Sequence, residues 1–237
     1  MKSTLLLMSV LTASVLTFTA CTDESVPATP GLPYQSSFQR DADGWVAGLT
    51  DYGTAQDSIM EFKSAWKGLP APLDTTRKSI MVESMNRSDD AFMFIKKKVT
   101  GLTPNTDYSL IFDVELASQY PSNSIGIGGS PGGSVFLKVG ASPVEPTKVL
   151  KDGFYTINID KGEQNNDGKD AIRIGDIGTG DSDEVYKLIT RSNQTTPFKT
   201  RTNAQGELWL IVGTDSGFEG LTTLYYSKIS VTPKTTK

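Results

Sequence analysis

Hydrophobic and polar residues alternate over short stretches of the chain, most regularly at positions 107–116. Every second side chain there is apolar, whereas Ser109, Asp113 and Glu115 fall on the other parity. Because the side chains of a strand point alternately to its two faces, this pattern predicts a strand with one buried and one mostly wet face. The predicted buried row consists of Tyr108, Leu110, Phe112, Val114 and Leu116.

Similar runs recur between clusters of Gly, Pro, Asn and Asp, and no stretch of adequate length has a helical period. We therefore predict an all-β fold, an antiparallel β-sandwich of the jelly-roll type. It forms a single domain at 34–233, followed by a polar tail at 234–237. Besides 107–116, the predicted strands are 79–85, 91–99, 134–141, 154–159, 171–174, 184–190, 207–213 and 222–232.

The first residues depart from this pattern. Lys2 precedes an apolar run at 5–18, which ends at Thr19-Ala20-Cys21. A positive residue, a short apolar run and a small residue before the cleavage site are typical of a secretory signal peptide, which we place at 1–20. The run is shorter than the roughly 20 apolar residues that a membrane-spanning helix needs.

Residues 18–21, Phe-Thr-Ala-Cys, resemble the lipobox of bacterial lipoproteins, with Phe18 in place of the usual Leu. The resemblance implies that the thiol of Cys21 is diacylated and anchors the mature chain to a membrane. The alternative is an ordinary secreted protein with an unrelated cysteine. Asp23 and Glu24 resemble the surface-export signal of some Gram-negative lineages, whereas in others an aspartate near this place retains the protein at the inner membrane. We expect an outer-membrane lipoprotein that faces outward, with a proline-containing tether at 21–33.

Composition excludes several kinds of chemistry. Cys21 is the only cysteine and the chain has no histidine. Intramolecular disulfides, Ser-His-Asp or Cys-His catalysis and His-ligated zinc are therefore excluded. With 23 basic and 27 acidic residues the net charge is −4. This charge argues against a nucleic-acid partner, because phosphates would be repelled.

Three segments, 38–45, 99–110 and 224–231, resemble the first strand, the central turn and strand, and the closing strand of jelly-roll carbohydrate-binding modules of the galactose-binding-like type. The resemblance implies a sandwich and a glycan partner. Such modules often hold a structural calcium, but the matching positions here are Gln39, Ser227 and Lys228, which cannot form a carboxylate-rich cage. Segments 88–96 and 209–217 also resemble a group of secreted bacterial proteins to which no function is attached.

Asp113 and Glu115 are the best candidates for catalysis. On one face of a strand they would lie about 6.6 Å apart, between the carboxylate separations of retaining and inverting glycosidases. The Glu-x-Asp-x-x-Glu pattern of jelly-roll glucanases is absent, however, and acids on a strand's outer face are usually just solvated. We therefore expect no catalytic residue, and the two acids stay as weak ligand-binding candidates.

Two acidic loops are weak candidates for calcium. In the loop 160–170, Glu163, Asn165, Asp167 and Gly168 imitate the opening of a calcium loop, but Ile174 occupies the place of the bidentate acid. In the glycine-rich loop 176–184, Asp176, Asp181, Asp183 and Glu184 gather negative charge. We favour a solvated loop and no cofactor, since no spacing matches a known calcium cage.

Aromatic residues are the remaining ligand-binding candidates. Trp66 and Tyr120 lie in segments rich in Gly, Pro and Ser, where a ring has less reason to be buried, whereas Trp45 and Trp209 are predicted to pack inside. The glycine-rich stretch 126–133 is interpreted as a wide turn, because a phosphate loop needs a following helix.

Taken together, these patterns predict a membrane-anchored surface lipoprotein whose sandwich domain is a non-catalytic binding domain, with carbohydrate as the favoured ligand. The alternatives are a structural lipoprotein that recognises another surface protein and, less favoured, a glycan-degrading enzyme.

Overall fold

The computed structural model describes residues 29–180 and 182–234, which form strands and a short 3-10 helix, Thr54–Ile59. No helix in these two ranges is long and apolar enough to cross a bilayer. In chain order, the strands are β1 (Thr29–Pro30), β2 (Tyr34–Ser36), β3 (Val46–Thr50), β4 (Tyr52–Gly53), β5 (Lys63–Gly68), β6 (Lys78–Met85), β7 (Ala91–Thr100), β8 (Asp107–Ser118), β9 (Val135–Ser142), β10 (Lys148–Lys151), β11 (Phe154–Ile157), β12 (Ala171–Asp176), β13 (Lys187–Ser192), β14 (Phe198–Arg201), β15 (Leu208–Ser216) and β16 (Leu221–Pro233).

Two sheets form the sandwich. Sheet I has the order β3–β7–β15–β9–β12, and β1 pairs with the end of β7. Sheet II has the order β5–β6–β16–β8–β13, with β14 also beside β8 and β2 also beside β16. Apart from the parallel pair of β1 and β7, all neighbours in the two sheets are antiparallel. The predicted all-β jelly-roll sandwich is confirmed, and each predicted strand overlaps an observed one.

The core lies between the two sheets. The inward row of β8, formed by Leu110, Phe112, Val114 and Leu116, is fully buried, while Tyr108 at the start of the strand is partly buried. On the opposite face of β8, Asp113 is exposed and Glu115 partly exposed. The strand thus has the two faces that its alternation predicts.

A third layer covers the outer face of sheet I. It consists of the small sheet III, in the order β10–β11–β4, and of the loop that follows β11. Phe92, Phe94 and Ile211 of sheet I form an apolar cluster with Ile157 and Ile159 of this layer. All of β15 is therefore buried on both faces, as strands covered by a layer on each side generally are.

Gly48 on β3 makes room for this layer. A Cβ atom at Gly48 would lie 2.5 Å from Cζ of Phe94, closer than any tolerated contact. Any larger side chain at position 48 would thus displace the Phe94 ring, which packs against the third layer.

The N-terminal strand fixes one end of the sandwich. Thr29 and Pro30 pair with Val99 and Thr100, and the amide of Gly31 donates a 2.7 Å hydrogen bond to the carbonyl of Thr100. The last residues of the predicted tether therefore lie against sheet I instead of linking freely to it. Cys21 and the rest of the predicted signal peptide and tether lie outside the described residues.

Candidate functional site

A pocket of about 530 Å³ opens at the opposite end of sheet I, beside the third layer. Asp51, which follows β3, and Asp90, which precedes β7, line it together with β11 and residues 159–163 of the following loop. Since β1 pairs with the far end of β7, Asp90 at the pocket and Val99 beside the N-terminal strand are separated by roughly 30 Å, at about 3.3 Å per residue.

Two lysines and two aspartates form a buried charge network at the base of the pocket. Lys161 Nζ lies 2.7 Å from Asp215 Oδ2 and 3.1 Å from Asp51 Oδ2. Lys138 Nζ lies 3.1 Å from the same oxygen of Asp215 and donates hydrogen bonds to the carbonyls of Lys161 and Asn166. The side chains of Lys138 and Asp215 are fully buried, so each charge depends on the other for compensation.

The strand register brings this network together. Lys138 on β9 lies opposite Gly213 on β15, two residues before Asp215 on the same outer face. Such diagonal neighbours are close enough for a long side chain to reach. The loop after β11 then places Lys161 above them, and the third layer shields the network from water.

Asp90 is an acid of this site whose pKa lies in the neutral range. Its burial raises the pKa to about 7, and the nearby carboxylates of Asp215 and Asp51 add to the rise while Lys161 opposes it. Oδ1 of Asp90 and Oδ1 of Asp215 are both buried without a hydrogen-bond partner. A proton retained on Asp90 would allow it to donate a hydrogen bond to Asp215, which explains how these acids remain side by side.

The neighbouring charges respond to the same burial. Desolvation raises the pKa of Asp51, although Lys161 opposes the shift. Desolvation also disfavours the charged form of Lys161, but Asp215 and Asp51 outweigh it, so the pKa of Lys161 is raised. Lys161 therefore stays protonated in the neutral range.

The wall of the pocket is apolar. Phe154 on β11 is 41% exposed, and Ile157 and Ile159 extend the apolar surface inward. The next residue, Tyr155, packs on Tyr52 at 5.1 Å between ring centroids, and Lys148 lies over both rings. These contacts hold β11 against β4, so the pocket combines a partly exposed ring with carboxylate acceptors and a lysine donor.

Trp66 lies away from this pocket, on the edge strand β5, so its predicted loop position is wrong. The ring is 43% exposed, its indole N–H donates a 2.7 Å hydrogen bond to the carbonyl of Phe38, and Lys78 Nζ lies 5.4 Å from its centroid. Part of the ring remains accessible as a flat surface on the side of the sandwich.

Tyr120 requires a correction. The prediction of an exposed loop ring is wrong, because Tyr120 is 9% exposed. Its hydroxyl donates to the carbonyl of Leu221 and accepts from the amide of Thr223 at 2.7 Å. The ring fastens the loop after β8 to β16, as a plug at the sandwich end. Trp45 and Trp209 are buried as predicted.

Asp113 and Glu115 share the outer face of β8, but their environments do not suit acid–base catalysis. Glu115 accepts 2.6 Å hydrogen bonds from Arg77 and from the hydroxyl of Ser227. Burial opposes ionisation of Glu115, but these partners outweigh it and lower its pKa. A general acid needs a raised pKa, so Glu115 is not suited to be the acid of glycoside hydrolysis.

The acids of the loop 176–184 are dispersed. Asp176 Oδ1 accepts a hydrogen bond from the amide of Gly178 and lies 3.6 Å from Arg191 Nη2. Asp183 and Glu184 are exposed, and Asp181 lies outside the described residues. Within 29–180 and 182–234, no three acidic, cysteine or histidine side chains are grouped so that they could hold a metal ion.

The loop 160–170 uses its polar groups internally. Asp160 accepts hydrogen bonds from the amides of Gly162 and Lys169, Asp167 accepts from the amide of Arg173, and Asn165 accepts from the Arg173 side chain. Glu163 instead lines the pocket. The glycine-rich stretch 126–133 is followed by strand β9 and not by a helix.

The residues of the charge network beneath the pocket were not among the predicted site residues. Asp215 closely follows the apolar run at 208–213. This position indicates a buried charge, since an acid at the end of a buried strand needs a partner. Its partners Lys138 and Lys161 are distant in sequence, and nothing in their own segments marks either lysine as buried. The alternation pattern therefore does not predict that they pair with Asp215.

The sequence matches no family model and no curated protein. Among solved structures, the chain is similar to the xylan-binding domain from CBM 22, with 14% identity over 86% of this chain and 96% of that one and a TM-score of 0.40. It is also similar to the cleaved adhesin domain of Lys-gingipain from Porphyromonas gingivalis, with 12% identity over 86% and 100% of the two chains and a TM-score of 0.38. An arabinose-bound α-L-arabinofuranosidase matches with 14% identity over 84% of this chain but 26% of the enzyme, with a TM-score of 0.40. Likeness at this level concerns the sandwich alone.

Proposed function

We propose that this chain is a non-catalytic, glycan-binding lipoprotein of the bacterial outer membrane, which binds sugar in the pocket between Asp51, Asp90 and the loop after β11. The observation that carries the proposal is the combination, in one preformed pocket, of the Phe154 ring with a dense group of hydrogen-bonding side chains.

The chemistry of the pocket suits a sugar ring. The apolar face of a pyranose can pack on an exposed ring such as Phe154, while its hydroxyl groups donate to carboxylates and accept from an ammonium group. A volume of about 530 Å³ falls within the range of roughly 300–1,000 Å³ that is common for small-ligand sites.

The position of the pocket supports display at a cell surface. The N-terminal strand lies at one end of β7 and the pocket at the other. The first described strand and the proposed binding site thus lie at opposite ends of the sandwich. If the lipid at Cys21 is held near β1, the pocket faces away from the membrane.

A glycan array tests this function. The full chain, purified in detergent, should bind a defined set of glycans with and without added calcium, and Phe154→Ala should remove most of that binding. Leu150→Ala is the matched control, since Leu150 is an exposed apolar residue of the same small sheet that does not line the pocket. Absence of binding to every glycan, or equal binding by Phe154→Ala, would contradict the proposal.

One surface feature favours the alternative of protein interaction. Ile125 and Ile127, in the glycine-rich loop before β9, are 99% and 71% exposed. Exposed apolar side chains at a loop tip are typical of contact surfaces. If protein contact is the function, the wild type should bind no glycan and should cross-link to a neighbouring surface protein. The double variant Ile125→Ser, Ile127→Ser should lose that cross-link.

A further inference from the structure

The pocket carries an excess of negative charge. Asp51, Asp160 and Glu163 line it as carboxylates beside Asp90, whose pKa of about 7 leaves it mostly protonated at about pH 6, and Lys161 is the only basic residue among its described lining residues. The charge of Lys161 is already compensated by its ion pairs with Asp215 and Asp51. A ligand entering the pocket therefore meets carboxylates whose charge the protein does not fully balance.

Two of these carboxylates are held in place before any ligand arrives. Asp51 is only 5% exposed and is positioned by its ion pair with Lys161, at 3.1 Å from Nζ, while its buried Oδ2 has no hydrogen-bond partner among the described residues. Asp160 accepts hydrogen bonds from the amides of Lys169 and Gly162, which lower its pKa and keep it ionised. Glu163 stands exposed at the rim.

We propose that the pocket selects glycans that carry free, protonated amino groups, that is, deacetylated amino sugars, over neutral and acidic sugars. This inference rests on the glycan-binding function proposed above and names its ligand class. An ammonium group supplies three hydrogen-bond donors and a positive charge, which complement the acceptor capacity and the negative charge that the carboxylates of Asp160 and Glu163 offer to a ligand.

The same charges act against other sugars. A uronic acid or sialic acid would bring a further carboxylate into the group formed by Asp51, Asp160 and Glu163, which would repel its negative charge. A neutral N-acetylated sugar would keep its contact with Phe154 but lose the charge-assisted hydrogen bonds. Discrimination of this kind arises from both attraction to one ligand and repulsion of its competitor.

Calorimetric titration of the full chain in detergent tests the inference at about pH 6, where a sugar amine is protonated. The probes are a glucosamine trimer, the N-acetylglucosamine trimer and a galacturonic acid trimer. We expect the glucosamine trimer to bind most tightly and the acidic trimer most weakly. Removing one rim charge with Glu163→Gln should weaken binding of the glucosamine trimer about fivefold, the effect of one solvent-screened charge pair.

Two controls make the result specific. Asp152→Asn removes the same charge from an exposed turn of the third layer that does not line the pocket, and it should leave the affinity unchanged. Raising the salt concentration from about 0.05 to about 0.5 M should weaken binding of the glucosamine trimer but not of the neutral trimer, because salt screens exposed charges.

The outcomes separate this inference from the proposed function. Equal binding of the glucosamine and N-acetylglucosamine trimers, insensitive to salt and to Glu163→Gln, would overturn amine selection and leave glycan binding intact. Binding of a lysine-rich peptide more tightly than any sugar would overturn both, as would failure of every glycan to bind. Preference for the glucosamine trimer that is reduced about fivefold in Glu163→Gln and kept in Asp152→Asn would support the inference.

Discussion

At the scale of single residues, Phe112 tests the assignment of the core. Its side chain is fully buried in the inward row of β8. We expect Phe112→Ala to lower the free energy of unfolding by about 3–5 kcal/mol, the usual cost of removing a large core side chain and leaving a cavity. Urea denaturation measures this change. Ile111→Ala, on the opposite face of the same strand, should cost clearly less, and equal midpoints for wild type and Phe112→Ala would contradict the assignment.

Asp90 should make stability depend on pH. Its pKa is raised by burial from the ordinary 3.8 to about 7, so between these values the folded chain holds a proton that the unfolded chain has released. The stability that Asp90 contributes is therefore full below about pH 4 and is lost as the pH rises through about 7.

Asp90→Asn should remove that dependence, because an amide stays neutral at every pH and can still donate to Asp215. We expect the variant to be more stable than wild type at pH 8, by about 1–2 kcal/mol after allowance for solvent screening, and nearly equal to it at about pH 4. Urea midpoints at the two pH values measure the difference. Asp89→Asn, at the exposed neighbouring position, is the control. If the stability of Asp90→Asn changed with pH in the same way as that of wild type, the role of Asp90 would be contradicted.

Residue burial was predictable where it follows from alternation and not where it depends on a distant partner. The inward row of β8 can be read directly from its sequence. Lys97 cannot, since this lysine lies on the inward face of β7, is 1% exposed and pairs with Asp43 and the ring of Tyr34. The same holds for Lys138 and Asp215, whose charges are acceptable inside only because the fold brings them together.

At the scale of elements, strands with several alternating apolar positions were predicted, whereas the short strands β4, β5 and β10 were not. The strands β6, β7, β8, β15 and β16 contain enough apolar positions to display a period of two. The edge strand β5, with the sequence Lys-Ser-Ala-Trp-Lys-Gly, is exposed along most of its length and has no such pattern. Its place in the sheet depends on pairing with β6, which explains why Trp66 was assigned to a loop.

The acidic loop at 176–184 provides a prediction at the same scale. Asp176 is engaged by Arg173, Arg191 and the amide of Gly178, while Asp183 and Glu184 are exposed. We therefore expect millimolar calcium and magnesium to have equally small effects on the melting temperature. A resident calcium ion would instead stabilise the fold by about 2.7 kcal/mol at a hundred times its Kd. A rise of several degrees with calcium alone, lost in Asp181→Asn combined with Asp183→Asn, would contradict this expectation.

At the scale of the whole molecule, the third layer explains why the pocket was missed. In sheet III the hairpin of β10 and β11 pairs with β4 through Tyr155 and Tyr52, so the sheet joins two widely separated parts of the chain. Each strand is short, and β10 is exposed throughout. A sandwich of two layers follows from the alternation of its strands, whereas a layer added on the outer face depends on contacts such as those of Phe92 and Phe94 with Ile157 and Ile159.

Attachment of the molecule to the membrane is expected to depend on Cys21. This residue lies outside the described residues and outside the predicted sandwich domain at 34–233. Cys21→Ser should abolish lipidation and release the chain from the membrane fraction while leaving its urea midpoint unchanged. Two or three acyl chains hold a protein stably, at about 0.8 kcal/mol for each buried CH₂ group, and without them no comparable anchor is expected.

Metabolic labelling with a tagged fatty acid, followed by cell fractionation, measures both effects. Thr22→Ser changes the adjacent residue in the same conservative way and should be labelled like the wild type. Protease added to intact cells should digest the wild-type domain if the pocket is displayed outward. Equal labelling of Cys21→Ser and wild type would contradict the lipoprotein assignment. Labelling that is lost in Cys21→Ser, with complete protection from protease, would keep the anchor and place the domain on the inner side of the membrane.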